Sequence, residues 1–114
     1  MSKLTLEYTE KKHTLEVDKK EYEIPKRTVK ITRALKAHDE RLLEADEYES
    51  NMEVLKILFG KESVKVMFPE EEDTNLDKLL ACTKLALAAF YADFNEIKKE
   101  EMPIKAAEKK QNKR

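Results

Sequence analysis

The hydrophobic positions change period at Pro25. Before it they alternate with polar residues: Leu4, Leu6 and Tyr8, then Leu15 and Val17, then Tyr22 and Ile24. A period of two lines one face of a strand. Two polar stretches of hairpin length, Thr9–Lys12 and Asp18–Lys20, separate the runs. The pattern predicts a two- or three-stranded antiparallel ribbon within residues 1–25, apolar on one face. A ribbon this small is marginal in water and must lie on another element, most simply a helix.

Beyond Pro25 the steps become three and four: Ile31, Leu35, His38, Leu42, Ala45, Tyr48, Met52, Leu55, Phe59. That is a helical stripe, with Thr28 as its N-cap. Glu49-Ser50-Asn51 is the expected interruption, because Ser50 and Asn51 are cap formers rather than helix formers. The reading is helices over 29–48 and 51–59, closed by Gly60 as a left-handed C-cap. In residues 61–68, Val64, Val66 and Phe68 alternate, whereas Val64, Met67 and Phe68 also fit two helical turns. The position between helices and before Pro69 favours a short helix. Glu70–Asp73 forms an acidic loop, and Thr74 or Asn75 caps the next helix, with Asp77 in its first turn.

The last helix carries Leu76, Leu79, Leu80, Thr83, Leu87, Phe90, Phe94 and Ile97 on one broad face. Small residues, among them Ala81, Cys82, Ala86, Ala88, Ala89 and Ala92, fill most of the rest. Between Leu79 and Ala92 the only charge is Lys84. A helix apolar nearly all round is buried on several sides, either as the centre of the domain or against a second subunit. The fold class is therefore α+β, mainly α: an N-terminal antiparallel β-ribbon followed by three or four helices, the last one apolar and central. Residues 1–104 form one domain (1–25 ribbon, 28–104 helical), and residues 105–114 form a basic, disordered tail.

Composition narrows the function. The chain has 23 Lys and Arg against 24 Asp and Glu, so it is 41% charged yet carries a net charge of only −1. Both signs interspersed at this density describe solvated helix faces, and 40% hydrophobic residues are too many for a disordered chain. Five basic residues against Glu108 leave the tail at +4 and the body at −5. The tail reads as a solubilising end or as an arm for an acidic partner. The acidic body and the absence of aromatics among the basic residues argue against nucleic acid. Cys82 stands alone, so one chain builds neither a disulfide nor a cysteine-based zinc site. It is read as a small buried hydrophobe. His13 and His38 lie in different elements without metal-ligand spacing, and His38 is read as a semi-buried packing residue. Glu70–Asp73 lacks the pattern of a calcium loop. A chain with one glycine has no Gly-rich phosphate loop, and no serine lies near a histidine in sequence. The expectation is a protein without catalysis or cofactor. It has no apolar run of membrane-spanning length and no apolar signal-peptide core at its start, so it is expected in the cytoplasm. Phe90, Tyr91, Phe94 and Ile97 are either core or an apolar face offered to a helical partner.

One segment adds a family likeness. In Glu21-Tyr22-Glu23-Ile24-Pro25-Lys26-Arg27-Thr28-Val29-Lys30-Ile31 a strand ending in Tyr-x-Ile-Pro leads straight into a helix. Leu55-Lys56-Ile57-Leu58-Phe59-Gly60, Met67-Phe68-Pro69, an acidic linker and a final apolar helix follow. This layout resembles the tail assembly chaperones of long, flexible-tailed (siphovirus-type) phages and prophages of Gram-positive bacteria. The resemblance implies an oligomerising chaperone that binds the helical tape-measure protein and aids assembly of the tail-tube protein. It also implies a longer form made by ribosomal frameshifting, for which Lys109-Lys110 would be the slippery run. Phe90, Tyr91, Phe94, Ile97, Lys109 and Lys110 are the candidate partner-binding residues. The residues by themselves admit another reading, a small helical adaptor or regulator of the antitoxin or anti-sigma kind, binding one folded protein.

Overall fold

A computed structural model describes residues 3–40 and 46–97. Two strands form the ribbon: β1 (Thr14–Val17) and β2 (Lys20–Glu23), antiparallel, with Leu15 opposite Tyr22 and Val17 opposite Lys20. Asp18 and Lys19 join them with φ of 51° and 68°. Two successive positive φ angles match the twist of a tight hairpin, a role Asp tolerates better than most residues. The ribbon face carrying Leu15, Val17 and Tyr22 is buried, as alternation requires.

Leu4, Leu6 and Tyr8 do not form a third strand. Residues 3–13 contain no turn, and Leu4 is 97% exposed. The expected turn at Thr9–Lys12 does not form; at the surface of that stretch Glu10 pairs with Lys26 and Lys11 with Glu96. The chain runs straight past the end of the ribbon.

Four helices follow: α1 (Val29–Glu40), α2 (Glu47–Phe59), α3 (Lys61–Met67) and α4 (Leu76–Phe90); a fifth, α5, spans residues 92–97. Thr28 caps α1 by accepting from the Ile31 N–H at 3.3 Å. The break between α1 and α2 falls earlier than Glu49–Asn51. The Asp46 carboxylate accepts the Glu49 N–H at 2.7 Å and starts α2 there. A carboxylate at this site satisfies an orphan donor and favours the helix dipole, which Ser50 and Asn51 one turn later do not match. Ser50 instead turns its hydroxyl to His38, and Asn51 donates to the Glu47 carbonyl.

Gly60 ends α2 by donating to the Lys56 carbonyl at 2.8 Å, and its own carbonyl accepts from Val64 to open α3. Its φ of 87° is positive as expected, but ψ of 158° lies far from the left-handed helical basin. The residue serves as a sharp corner between two helices, not as a left-handed cap. Asn75 caps α4, its Oδ1 accepting from Asp77 and Lys78.

The core gathers Leu55 of α2, Val64 of α3 and Leu79 and Ala86 of α4, all 0% exposed, with Leu15, Tyr22 and Leu35 closing round them. α4 packs on α2 and β1, and the ribbon rests on the end of α2, where the Tyr22 and Phe59 rings meet edge to face at 6.0 Å. α4 is thus central, but it is buried on one side only. Leu79, Cys82, Thr83, Ala86 and Phe90 face inward, whereas Leu85 is 59% exposed and Ala81 and Ala88 are open to solvent. At Tyr91 α4 gives way to α5, with the Tyr91-to-Leu87 and Asn95-to-Tyr91 backbone bonds carrying the helical path across the junction. Among the described residues no helix is long and apolar enough to cross a membrane.

Candidate functional site

Among the described residues a concavity lies where the end of the ribbon, the start of α1 and α5 meet. It is a groove of about 550 Å³. Its apolar wall is built from Ile24, Pro25, Ile31, Phe90, Phe94 and Ile97. Each comes from a recognisable local cause. Pro25 ends the ribbon, since it cannot continue the ladder, and the Ile24 N–H closes that ladder on the His13 carbonyl at 2.8 Å. Thr28 then turns the chain into α1 and presents Ile31 one turn in.

Charged side chains rim the groove and hold its walls. The Arg27 guanidinium stacks over the Phe94 ring at 4.2 Å, a cation–π contact that joins the ribbon–helix corner to α5. His13 Nε2 lies 3.2 Å from Asp93 Oδ1, both partly buried. With the Lys11–Glu96 and Lys26–Glu10 pairs, these contacts fix the extended segment 10–13 against α5 and against the corner.

The candidate residues divide. Phe94 and Ile97 line the groove, half-buried and exposed respectively. Phe90 forms its floor but is core, 5% exposed. Tyr91 is half-buried, stacked edge-on between Phe90 and Phe94 at 5.0 and 6.4 Å. Lys109 and Lys110, with the whole of residues 98–114, lie outside the described residues. Ile24, Pro25, Arg27, Ile31 and the His13–Asp93 pair escaped the sequence reading. Ile24 and Pro25 belong to the Tyr-x-Ile-Pro segment, and their position opposite Phe94 is long-range and leaves no periodic trace.

A second constellation lies between α1 and α2, with His38 buried and Ser50 and Glu53 half-buried. His38, 2% exposed, sets Nε2 at 3.3 Å from Ser50 Oγ, while its Nδ1 lies 3.2 Å from Glu53 Oε2 without hydrogen-bond alignment. Serine, histidine and carboxylate in that order resemble a nucleophile, its base and an orienting acid. Here the serine is in regular helix, and its N–H is given to the Asp46 carbonyl, so it stabilises no oxyanion beside its own hydroxyl. The arrangement is a polar tie between α1 and α2. His38 is buried more deeply than its place on the stripe suggested.

Among the described residues, Cys82 and Tyr48 have shifted acidities. Burial raises the Cys82 thiol above its ordinary value, outweighing the opposite pull of Lys78. Partial burial, then the carboxylates of Glu71, Asp46 and Glu72, raise the Tyr48 phenol. Among the described residues no group of three or more His, Cys, Asp or Glu is placed to hold a metal ion. No protein-family model matches the chain, and neither a curated protein nor a solved structure matches it.

Proposed function

We propose that the chain is a non-catalytic tail assembly chaperone of a siphovirus-type phage or prophage, acting in the host cytoplasm on the helical tape-measure protein and aiding assembly of the tail tube. The observation that carries this reading is the convergence of two sequence features on one groove. Ile24 and Pro25, from the segment that bears the family likeness, stand opposite Phe94 and Ile97, the apolar residues singled out as a helix-binding face. A tape-measure protein is a long amphipathic helix that needs its apolar stripe covered until the tail assembles. An apolar trough with a rim of both charge signs suits such a client, because anchors at helical spacing enter the trough while flanking charges meet the rim.

Co-expression tests the reading. A tape-measure protein of a siphovirus-type phage is expected to be several-fold more soluble when co-expressed with this chain than without it. Phe94→Asp combined with Ile97→Asp should abolish the gain while leaving the far-ultraviolet circular dichroism unchanged. A client equally soluble in all three conditions would refute the proposal.

A further inference from the structure

Among the described residues, residues 3–8 have no strand partner and the outer edge of β1 is unpaired, and the two match in pattern. Leu4, Leu6 and Tyr8 alternate along a segment with no strand partner and are 97%, 88% and 59% exposed. Among the described residues the ribbon has two strands, so β1 has an open edge. Its Ile24–His13 closing bond fixes which backbone groups point inward: residues 13, 15 and 17 bond β2, and Thr14 and Glu16 turn their N–H and C=O groups outward. Exposed edges of this kind are templates for strand addition.

What lies beneath that edge is apolar and uncovered. Lys78 of α4 reaches Asp18 at one end of β1, and Asp93 of α5 reaches His13 at the other. The Tyr91-to-Leu87 and Asn95-to-Tyr91 backbone bonds keep the helical path continuous between them. At about 100° per residue, Leu85 falls within roughly 20° of the Lys78 direction. Ala81 and Ala88 follow on the side away from the buried Leu79, Ala86 and Phe90. β2 occupies the other flank, against α2. The open edge of β1 therefore overhangs the exposed arc of α4.

We infer that residues 3–8 of a second copy of this chain add to the open edge of β1, antiparallel, with Leu6 opposite Leu15, and that the exchange is reciprocal. In this register Thr5 and Glu7 exchange backbone bonds with Glu16 and Thr14. Leu4, Leu6 and Tyr8 point to the helix side beside Val17, Leu15 and His13, over Leu85. Lys3 meets Asp18, and no like charges stand opposite each other. Sliding two residues one way sets Glu7 against Glu16. Sliding the other way moves Leu6 from Leu15 to His13 and takes Leu4 off Val17. The same chain does not supply the strand itself, because residues 9–12 make no turn and Glu10 and Lys11 are anchored to Lys26 and Glu96.

Sedimentation equilibrium and a cross-link test this. The full chain is expected at twice its 13.4 kDa, and Leu6→Asp, at an exposed position, is expected at the monomer mass with unchanged circular dichroism. Oxidation of Thr5→Cys/Glu16→Cys should give a covalent dimer on a non-reducing gel, and Thr5→Cys/Thr14→Cys much less of it. A monomeric wild type, an L6D protein that sediments as the wild type does, or a disulfide closing within one chain would each overturn the inference. None of these outcomes depends on client solubility, so this inference and the chaperone reading stand or fall separately.

Discussion

Gly60 offers the sharpest test of the fold, because its backbone angles set the cost of substitution almost alone. At φ 87° and ψ 158° it sits in a region open essentially to glycine only. A Cβ built there meets nothing within 4 Å, so steric clash with neighbours adds nothing. Backbone strain for an L-residue in such a region is about 1–3 kcal/mol. The reduced freedom of the unfolded chain returns roughly 0.4–1 kcal/mol. Gly60→Ala should thus lose about 1–2 kcal/mol, which lowers the urea midpoint by roughly 0.5–1.5 M at an ordinary denaturant slope. Gly60→Asn separates this account from that of a left-handed cap. Asn is tolerated in the left-handed helical basin, but that basin lies roughly 110° away in ψ, so Asn should be no better than Ala. D-alanine introduced by semisynthesis should match or exceed the wild type, since the mirror-image angles border the broad β region. An Ala variant as stable as wild type, or rescue by Asn, would refute the reasoning.

Two further expectations follow from buried groups. Burial holds the Cys82 thiol above its ordinary value, so the folded chain keeps this proton where the unfolded chain gives it up. The associated stability is complete below the unfolded value, near pH 9, and is lost as the pH rises from there through the raised folded value. Urea midpoints at pH 8 and 10 should fall further for wild type than for Cys82→Ala; parallel declines would rule out the thiol. His38 separates packing from polarity. His38→Ala empties a buried site and should cost about 2–4 kcal/mol. His38→Leu should stay within about 1 kcal/mol of wild type, because Ser50 and Glu53 are exposed enough to recover water. Equal damage from both in urea unfolding would show that the polar tie, not ring volume, joins α1 to α2.

Local chemistry made much of the fold legible. Alternation at Leu15, Val17 and Tyr22 gave the ribbon, Thr28 and Asn75 gave two helix starts, and Val64 with Met67 and Pro69 gave the short third helix. Legibility failed where two local signals competed. The residue pattern puts the cap of α2 at Ser50 or Asn51, whereas Asp46 caps it, and the bond from Ser50 to His38, on another helix, shows where Ser50 is employed instead. The groove was half visible. Phe94 and Ile97 stood out on the last helix, but their neighbours Ile24 and Arg27 lie some seventy positions earlier, beyond the reach of any periodicity.

The sequence by itself determined the class, the element types and which face of each is apolar, because period and capping act over a few residues. Tertiary structure decided which apolar faces find a partner. Leu4, Leu6 and Tyr8 carry the same alternation as the ribbon, yet residues 9–12 make no turn that would bring them back onto it. Leu85 and Phe90 lie on the same apolar helix, yet only Phe90 is covered, because β1 and α2 pack on one side of α4 alone. Burial is set by how elements dock, and docking depends on contacts that no short stretch of chain contains.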